Sequence, residues 1–200
     1  MRTGINHFQR CPGCGNFAIH FAINAAIKEL NILSKDILVV SGIGCSGKMA
    51  QYIPGYSVEA LHGRAIPFAI GAKLANPKLN VLVYAGDGDA YGIGLAHFIH
   101  ACRRDIDLTY IVADNENYAL TTGQTSPTTP LHQKTHSEPE GTHVAPIYPV
   151  QLAETVGCGY NISVSSKDLA KMKEVIIEGI HHKGFSHIHI DQLCPSYRDW

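Results

Sequence analysis

Two groups of residues in this chain carry side chains able to do chemistry. The first is a set of four cysteines, Cys11, Cys14, Cys45 and Cys194. Cys11 and Cys14 stand in a Cys-x-x-Cys word that brings two sulfurs to one metal centre, and two thiolates from separate loops complete a four-sulfur shell. On the cysteines alone, a structural zinc ion and an iron–sulfur cluster both fit. The second group is the turn Gly86-Asp87-Gly88-Asp89. Its glycines let the backbone turn sharply and approach a ligand, while Asp87 presents a hard anionic oxygen. Asn115 stands in the equivalent place after the next apolar run. A carboxylate and an amide oxygen on neighbouring strand ends can share a magnesium ion, which prefers six oxygen ligands and keeps phosphate oxygens among them. That describes a diphosphate site. Helix capping by Asp87 and a plain turn at Asn115 are the structural alternative.

These residues need a scaffold that delivers them to one place, and the apolar periodicity supplies it. The spacing predicts helices over Asn16–Leu30, Arg64–Leu74, Tyr91–Arg103, Val150–Val156 and Ser166–His181, and strands over Ile37–Ser41, Val81–Ala85, Leu108–Ala113 and His187–Asp191. Strand and helix alternate, which implies an α/β fold: a mostly parallel sheet with helices on both faces and ligands at the carboxyl ends of its strands. Ile37–Ser41 runs into Gly42-Ile43-Gly44-Cys45, and His187–Asp191 delivers Cys194. Residues 121–149 are rich in Thr, Pro, His and Gly without periodicity, and are expected to form a long functional loop, a lid or a subunit contact. No internal repeat or low-complexity tract is visible.

Composition narrows the function classes. Two hundred residues, 45% hydrophobic and 16% charged, suit one compact domain over residues 1–200, with metal-binding loops at 11–15, 45 and 194. A formal net charge of -1 with Lys and Arg spread thinly offers no basic patch for nucleic acid. The apolar runs fall short of the roughly 18 residues of a membrane-spanning helix, and Met1–Arg10 lacks the apolar stretch of a signal peptide. The expected location is cytoplasmic, where the six cysteines are thiols or metal ligands. Cys102 and Cys158 match no metal position and are expected as small buried side chains.

With these residues in view, the chain resembles the beta subunits of 2-oxoacid:ferredoxin oxidoreductases, notably the 2-oxoglutarate type. Gly86-Asp87-Gly88 followed by Asp114-Asn115 matches the thiamine diphosphate signature. The further matching words are Cys11-Pro12-Gly13-Cys14-Gly15, Ser41-Gly42-Ile43-Gly44-Cys45-Ser46, Leu61-His62-Gly63-Arg64, His97-Phe98-Ile99-His100 and His182-Lys183-Gly184-Phe185-Ser186. They span nearly the entire chain in the family's order. The resemblance implies a 4Fe-4S cluster on Cys11, Cys14, Cys45 and Cys194, because oxidising a thiamine-bound fragment and passing on single electrons requires a redox centre and zinc is not one. It implies magnesium held by Asp87, Asn115 and the carbonyl of Asn117. Ile43, Gly44, Cys45 and Ser46 match the loop alongside the thiamine, and His62 a residue beside it. Gly88 and Asp89 match backbone and side-chain donors at the diphosphate, and Ala119 and Leu120 the segment that closes over the cofactor.

The activity so implied is the coenzyme A-dependent oxidative decarboxylation of a 2-oxoacid, with electrons leaving through the cluster to ferredoxin. The carboxylate that activates thiamine comes from a different domain in thiamine enzymes, so an alpha subunit, or alpha plus gamma, is expected as partner and no residue of this chain is assigned a catalytic role. The resemblance also implies a further segment beyond Trp200 packing over the active site, and Thr122 departs from the Lys or Gly that many relatives carry. Lys48 follows Cys45-Ser46-Gly47 on the loop expected between cluster and thiamine. Its ammonium could reach the distal carboxylate of a dicarboxylic substrate such as 2-oxoglutarate, whereas a hydrophobic residue there would suit pyruvate.

Overall fold

The computed structural model describes residues 11–198. Met1–Arg10, scanned above for a signal peptide, and Trp200 lie outside the described residues. In chain order the elements are α1 (Asn16–Glu29), β1 (Ile37–Ser41), β2 (Tyr56–Glu59), α2 (Ala65–Ala75), β3 (Asn80–Gly86), α3 (Leu95–Arg104), β4 (Leu108–Asp114), β5 (Asn117–Tyr118), β6 (Gln124–Thr125), α4 (Pro149–Thr155), β7 (Tyr160–Ser165), α5 (Leu169–His181) and β8 (Phe185–Asp191). Six strands form one sheet in the order β2-β1-β3-β4-β8-β7. Every pairing in it is parallel. β5 and β6 make a separate antiparallel ribbon.

Burial explains why these runs are strands. Every residue of β1 and β4 is buried, as a parallel strand covered by helices on both faces requires. Alternate side chains enter two cores. Ile37, Val39, Leu82, Tyr84, Ile111, Ile188 and Ile190 pack against Ile19, Ile23, Ala26, Met172, Val175 and Ile176 of α1 and α5. On the other face Leu38, Val40, Val81, Val83, Tyr110 and Val112 meet Ala65, Ile66, Ala69, Phe98 and Ala153 of α2, α3 and α4. The period of two along each strand therefore sorts its residues between the two helical layers.

The sequence misses β2 and β7, and both are edge strands. β2 is exposed along most of its length, and β7 has one buried residue, Val164. Neither carries the apolar run that marks a strand covered on both faces. Elsewhere the expected elements agree with the structure to within a few residues, with one informative exception. The helix expected from Tyr91 begins at Leu95, preceded by a wide helical turn over Gly88–Ile93. Such widened turns recur at functional sites.

Strand order and register create the site. β1 leads outward to β2 on one side, and the chain then crosses back to place β3 on the other side of β1, so the order switches between β1 and β3. Ser41 is in register with Tyr84, Gly86 with Ala113 and Asp114 with Asp191. Residues 42–46, 86–89, 115–117 and 192–194 consequently leave the sheet along one edge, in the crevice where open parallel sheets bind ligands. Among the described residues no helix is long and apolar enough to cross a membrane.

Candidate functional site

At that edge two cavities share a wall. The first, of about 130 Å³, is lined by Ile43, Gly44, Cys45, Ser46, His62, Gly88, Asp89, Ala119 and Leu120 together with Asp87, Asn115 and Asn117. All the residues expected to bind the cofactor or its cation thus meet in one place. The second, of about 490 Å³, is lined by Cys11, Cys14, Cys45 and Cys194, with Lys48, Glu59, Gln192 and Tyr197. Ile43, Gly44, Cys45, Asn115, Ala119 and Leu120 line both.

Asp89 holds the first cavity together. One of its carboxylate oxygens accepts from Ile43 N at 2.9 Å, Gly63 N at 2.9 Å and His62 Nδ1 at 2.7 Å. The close fit needs Gly42, where a Cβ would lie 2.1 Å from Asp89 Oδ2. The Asp89 side chain, expected beside the diphosphate, here accepts from three protein donors through Oδ1. Since the carboxylate accepts in this pair, Nδ1 of His62 carries a hydrogen.

Asp87 is set in a different environment, 2% exposed. Burial, reinforced by the neighbouring Asp114 carboxylate, pushes its carboxyl from an ordinary 3.8 up to about 8, against hydrogen bonds from Ser126 and Thr128. Thr128 Oγ1 spans the two acids, 3.1 Å from Asp87 Oδ2 and 2.8 Å from Asp114 Oδ1. Within the loop expected as a lid or a subunit contact, residues 126–129 support the acid. No sequence signal pointed to Thr128.

Asn115 and Asn117 follow the end of β4 through a tight turn. Glu116 between them takes φ +59°, in the left-handed region, and Arg198 pairs with both of its carboxylate oxygens, at 2.8 and 2.9 Å. Asn117 Nδ2 donates to the carbonyl of Asn115 at 2.7 Å, so its Oδ1 is the atom left over. Asn117 Oδ1 and Ser46 Oγ are both buried without a hydrogen-bonding partner. Such groups are costly unless something pairs with them.

The donor set fits a hard cation with a diphosphate. It offers the Asp87 carboxylate, amide and carbonyl oxygens at Asn115 and Asn117, the orphaned Ser46 hydroxyl, and the start of a helical turn at Gly88, where anions are favoured. Gly88 itself admits no side chain, because a Cβ would lie 2.1 Å from the Tyr118 ring.

The second cavity fits a larger group. Cys14 and Cys194 are buried, Cys45 half-buried and Cys11 exposed. Among the described residues no three His, Cys, Asp or Glu side chains stand as ligands of a single metal ion. The Cys11–Cys14 turn is docked by Gly15 N to the carbonyl of Leu193 at 2.9 Å, and Leu193 N donates to Ser166 Oγ at 3.0 Å. Lys48 lies exposed on the rim of this cavity. Of the two cysteines assigned no metal role, Cys102 is buried in the core and Cys158 half-buried beside it.

Comparison with known proteins agrees with this fold. Residues 7–190 match the family model of the thiamine pyrophosphate enzyme, C-terminal TPP binding domain. Over 191 residues the chain is 49% identical to a 2-oxoacid:ferredoxin oxidoreductase subunit beta of Saccharolobus solfataricus, covering 94% of this chain and 63% of that relative. It is 43% identical to the 2-oxoglutarate synthase subunit KorB of Archaeoglobus fulgidus, covering 94% of this chain and 70% of that one. The solved structure of a 2-oxoglutarate:ferredoxin oxidoreductase from Magnetococcus marinus, with 2-oxoglutarate, coenzyme A and succinyl-CoA bound, superposes with a TM-score of 0.94 at 35% identity, covering 96% of this chain and 66% of that one. The chain thus spans about 63% of the length of the Saccharolobus relative.

The Asp89 clamp generates a direct test. Asp89→Asn removes the charge that strengthens three hydrogen bonds, and about 1.5 to 3 kcal/mol of stability is expected to go with it. Denaturant unfolding measures this, and a loss under about 0.5 kcal/mol would place Asp89 among ordinary surface substitutions.

Proposed function

The chain belongs to the beta subunits of the 2-oxoacid:ferredoxin oxidoreductases, within the thiamine pyrophosphate enzymes, and from that membership we propose that it binds magnesium thiamine diphosphate and a 4Fe-4S cluster for the coenzyme A-dependent oxidative decarboxylation of 2-oxoglutarate. The observation that carries the proposal is the shared wall: the oxygen-donor cavity and the four-cysteine cavity meet along Ile43, Gly44 and Cys45. Bound there, thiamine diphosphate supplies an electron sink for decarboxylation and the cluster a one-electron outlet toward ferredoxin.

The chain's own residues have separable tasks. Asp87, the Asn115 side chain and the Asn117 carbonyl hold magnesium, and the amides of Gly88 and Asp89 meet the diphosphate. Asp89, by gripping Ile43, His62 and Gly63, keeps the loop between the two cavities fixed. Ile43, Gly44, Ala119 and Leu120 shape the space for the rings, and the Ser46 hydroxyl is left to pair with the bound group. Cys11, Cys14, Cys45 and Cys194, which line one cavity of about 490 Å³, hold the cluster, a reading supported by the need for a one-electron acceptor, which zinc is not. The activating carboxylate comes from an alpha, or alpha plus gamma, partner in a cytoplasmic complex, with 2-oxoacid, coenzyme A and ferredoxin as the remaining participants.

Lys48 is the proposed reader of the substrate's second carboxylate, from its place on the rim of the cysteine cavity. In a site shielded by the partner subunit, the charge-assisted hydrogen bond is worth about 1.5 to 3 kcal/mol, or roughly one to two orders of magnitude in kcat/KM. Assays of ferredoxin reduction by the assembled complex, wild type and Lys48→Met, test both the activity and the specificity. The expected result is coenzyme A-dependent turnover of 2-oxoglutarate, with a selective loss for that substrate over pyruvate in the variant. An equal loss for both removes Lys48 from the substrate site, and no turnover of any 2-oxoacid refutes the activity.

The raised carboxyl of Asp87 makes cofactor binding release a proton. Below about pH 8 the free protein holds that carboxyl protonated, and the cation needs it ionised. The sign is that of a carboxyl raised on folding: its contribution to stability is full below the ordinary 3.8 and is lost as pH climbs through about 8. Affinity for magnesium thiamine diphosphate should rise with pH up to that point and then level. Calorimetry in two buffers of different ionisation enthalpy should find about one proton released at about pH 7 and almost none at about pH 9.5 in wild type, and none at either pH in Asp87→Asn. Proton release unchanged in the variant would remove Asp87 from the cation site.

A further inference from the structure

We infer that Gln192 is a positioning residue that couples the two sites, its single amide orienting Asn115 toward the cation while donating to the sulfur of Cys14. The inference rests on the cofactor and cluster reading above. Gln192 is 1% exposed. Its backbone N donates to the carbonyl of Asp114 at 2.7 Å, which continues the β4–β8 pairing, and the residue lines the cysteine cavity beside Asn115, which lines both.

The chemistry of its partners fixes which way the amide faces. Gln192 Nε2 lies 3.2 Å from the carbonyl of Leu193, which only accepts, so the nitrogen belongs on that side, where it also lies 3.4 Å from Cys14 Sγ. Oε1 then faces Asn115 and takes a hydrogen bond from its Nδ2 at 3.2 Å. Asn115 Oδ1 is thereby turned the other way, where it meets Asn117 N at 3.2 Å. With the Gln192 oxygen removed, Asn115 Nδ2 loses its acceptor, and the long bond from Asn117 N alone holds the amide in that setting. The approach is built into the Cys-x-x-Cys-Gly word. A Cβ at Gly15 would lie 3.0 Å from Gln192 Cγ and 2.9 Å from Leu193 N.

Two consequences follow, and they are measured independently. A hydrogen bond to a ligating sulfur stabilises the extra negative charge of the reduced cluster, so its loss lowers the reduction potential. An outer partner that orients a metal ligand is typically worth 10- to 100-fold in metal affinity. Gln192→Met keeps the volume and removes both functions. Gln192→Glu restores an oxygen for Asn115.

The experiment uses the anaerobically assembled alpha–beta complex, with iron content confirming that each variant is loaded and folded. The cluster potential is followed by EPR-monitored redox titration, and affinity for magnesium thiamine diphosphate by calorimetry. Expected are a lower potential and an affinity weakened about tenfold or more in Gln192→Met, with affinity recovered toward wild type in Gln192→Glu. A loaded Gln192→Met with the wild-type potential overturns the donation to sulfur. Wild-type affinity in Gln192→Met, or no recovery in a loaded Gln192→Glu, overturns the orientation of Asn115. A wild-type complex holding no iron is a different failure: it refutes the cluster reading itself, and with it the sulfur half of this inference.

Discussion

One buried carboxylate organises this site. Asp89 gathers the loop after β1 and the turn before α2 onto the end of β3 through three hydrogen bonds to a single oxygen. Backbone bonds from Gly42 N to Tyr84 and from Ala60 N to Ser41 anchor the bases of these segments, but the Asp89 carboxylate is the group on which their tips converge, and the wall between the cavities is made of the first of them. Other close approaches depend on the same arrangement. Gly42 has no room for a side chain because Asp89 fills it, and at Gly94 a Cβ would lie 2.5 Å from the Asp89 carbonyl. Glycine is used here for proximity more than for backbone freedom.

The acids two residues apart in Gly86-Asp87-Gly88-Asp89 show how environment assigns tasks to like groups. Asp89 is buried among donors and acts as a structural acceptor. Asp87 is buried beside another acid, and although two hydroxyls and a backbone N–H hydrogen-bond to it, its carboxyl rises to about 8. A buried carboxyl in that state is poised for a divalent ion, which would offset both its desolvation and the repulsion from Asp114. The neighbouring orphaned oxygens of Ser46 and Asn117 call for the same kind of partner. Asp114 continues the network away from the cavity, 3.0 Å from His189 Nε2, and His189 Nδ1 in turn lies 3.1 Å from Ser163 Oγ.

What was legible in the sequence follows burial. The central strands β1, β3, β4 and β8 are covered on both faces, so their apolar runs stand out. The edge strands β2 and β7 are half-solvated and do not. The glycine-acid turn, the paired Asn115 and the cysteine words were readable because their chemistry demands particular residue types at particular strand ends. Thr128 and Gln192 were not, because a threonine in a Pro-rich loop and a glutamine before Cys194 acquire their roles only from partners distant in the chain. Asp89 was visible as an acid, yet its task depends on donors 26 to 46 residues away, a relation that local spacing does not encode.

The central claim is that the oxygen-donor cavity and the cysteine cavity form one redox site along the Ile43–Cys45 wall. Its most direct test is low-temperature EPR of the anaerobically assembled complex, with iron and zinc quantified, before and after 2-oxoglutarate and coenzyme A are added without ferredoxin. The account predicts about four irons at the cysteine site and a substrate-dependent signal of a reduced 4Fe-4S cluster that is lost in Cys194→Ser. Zinc in place of iron at the four cysteines, or a cluster that substrate cannot reduce in a complex loaded with thiamine diphosphate, would contradict it.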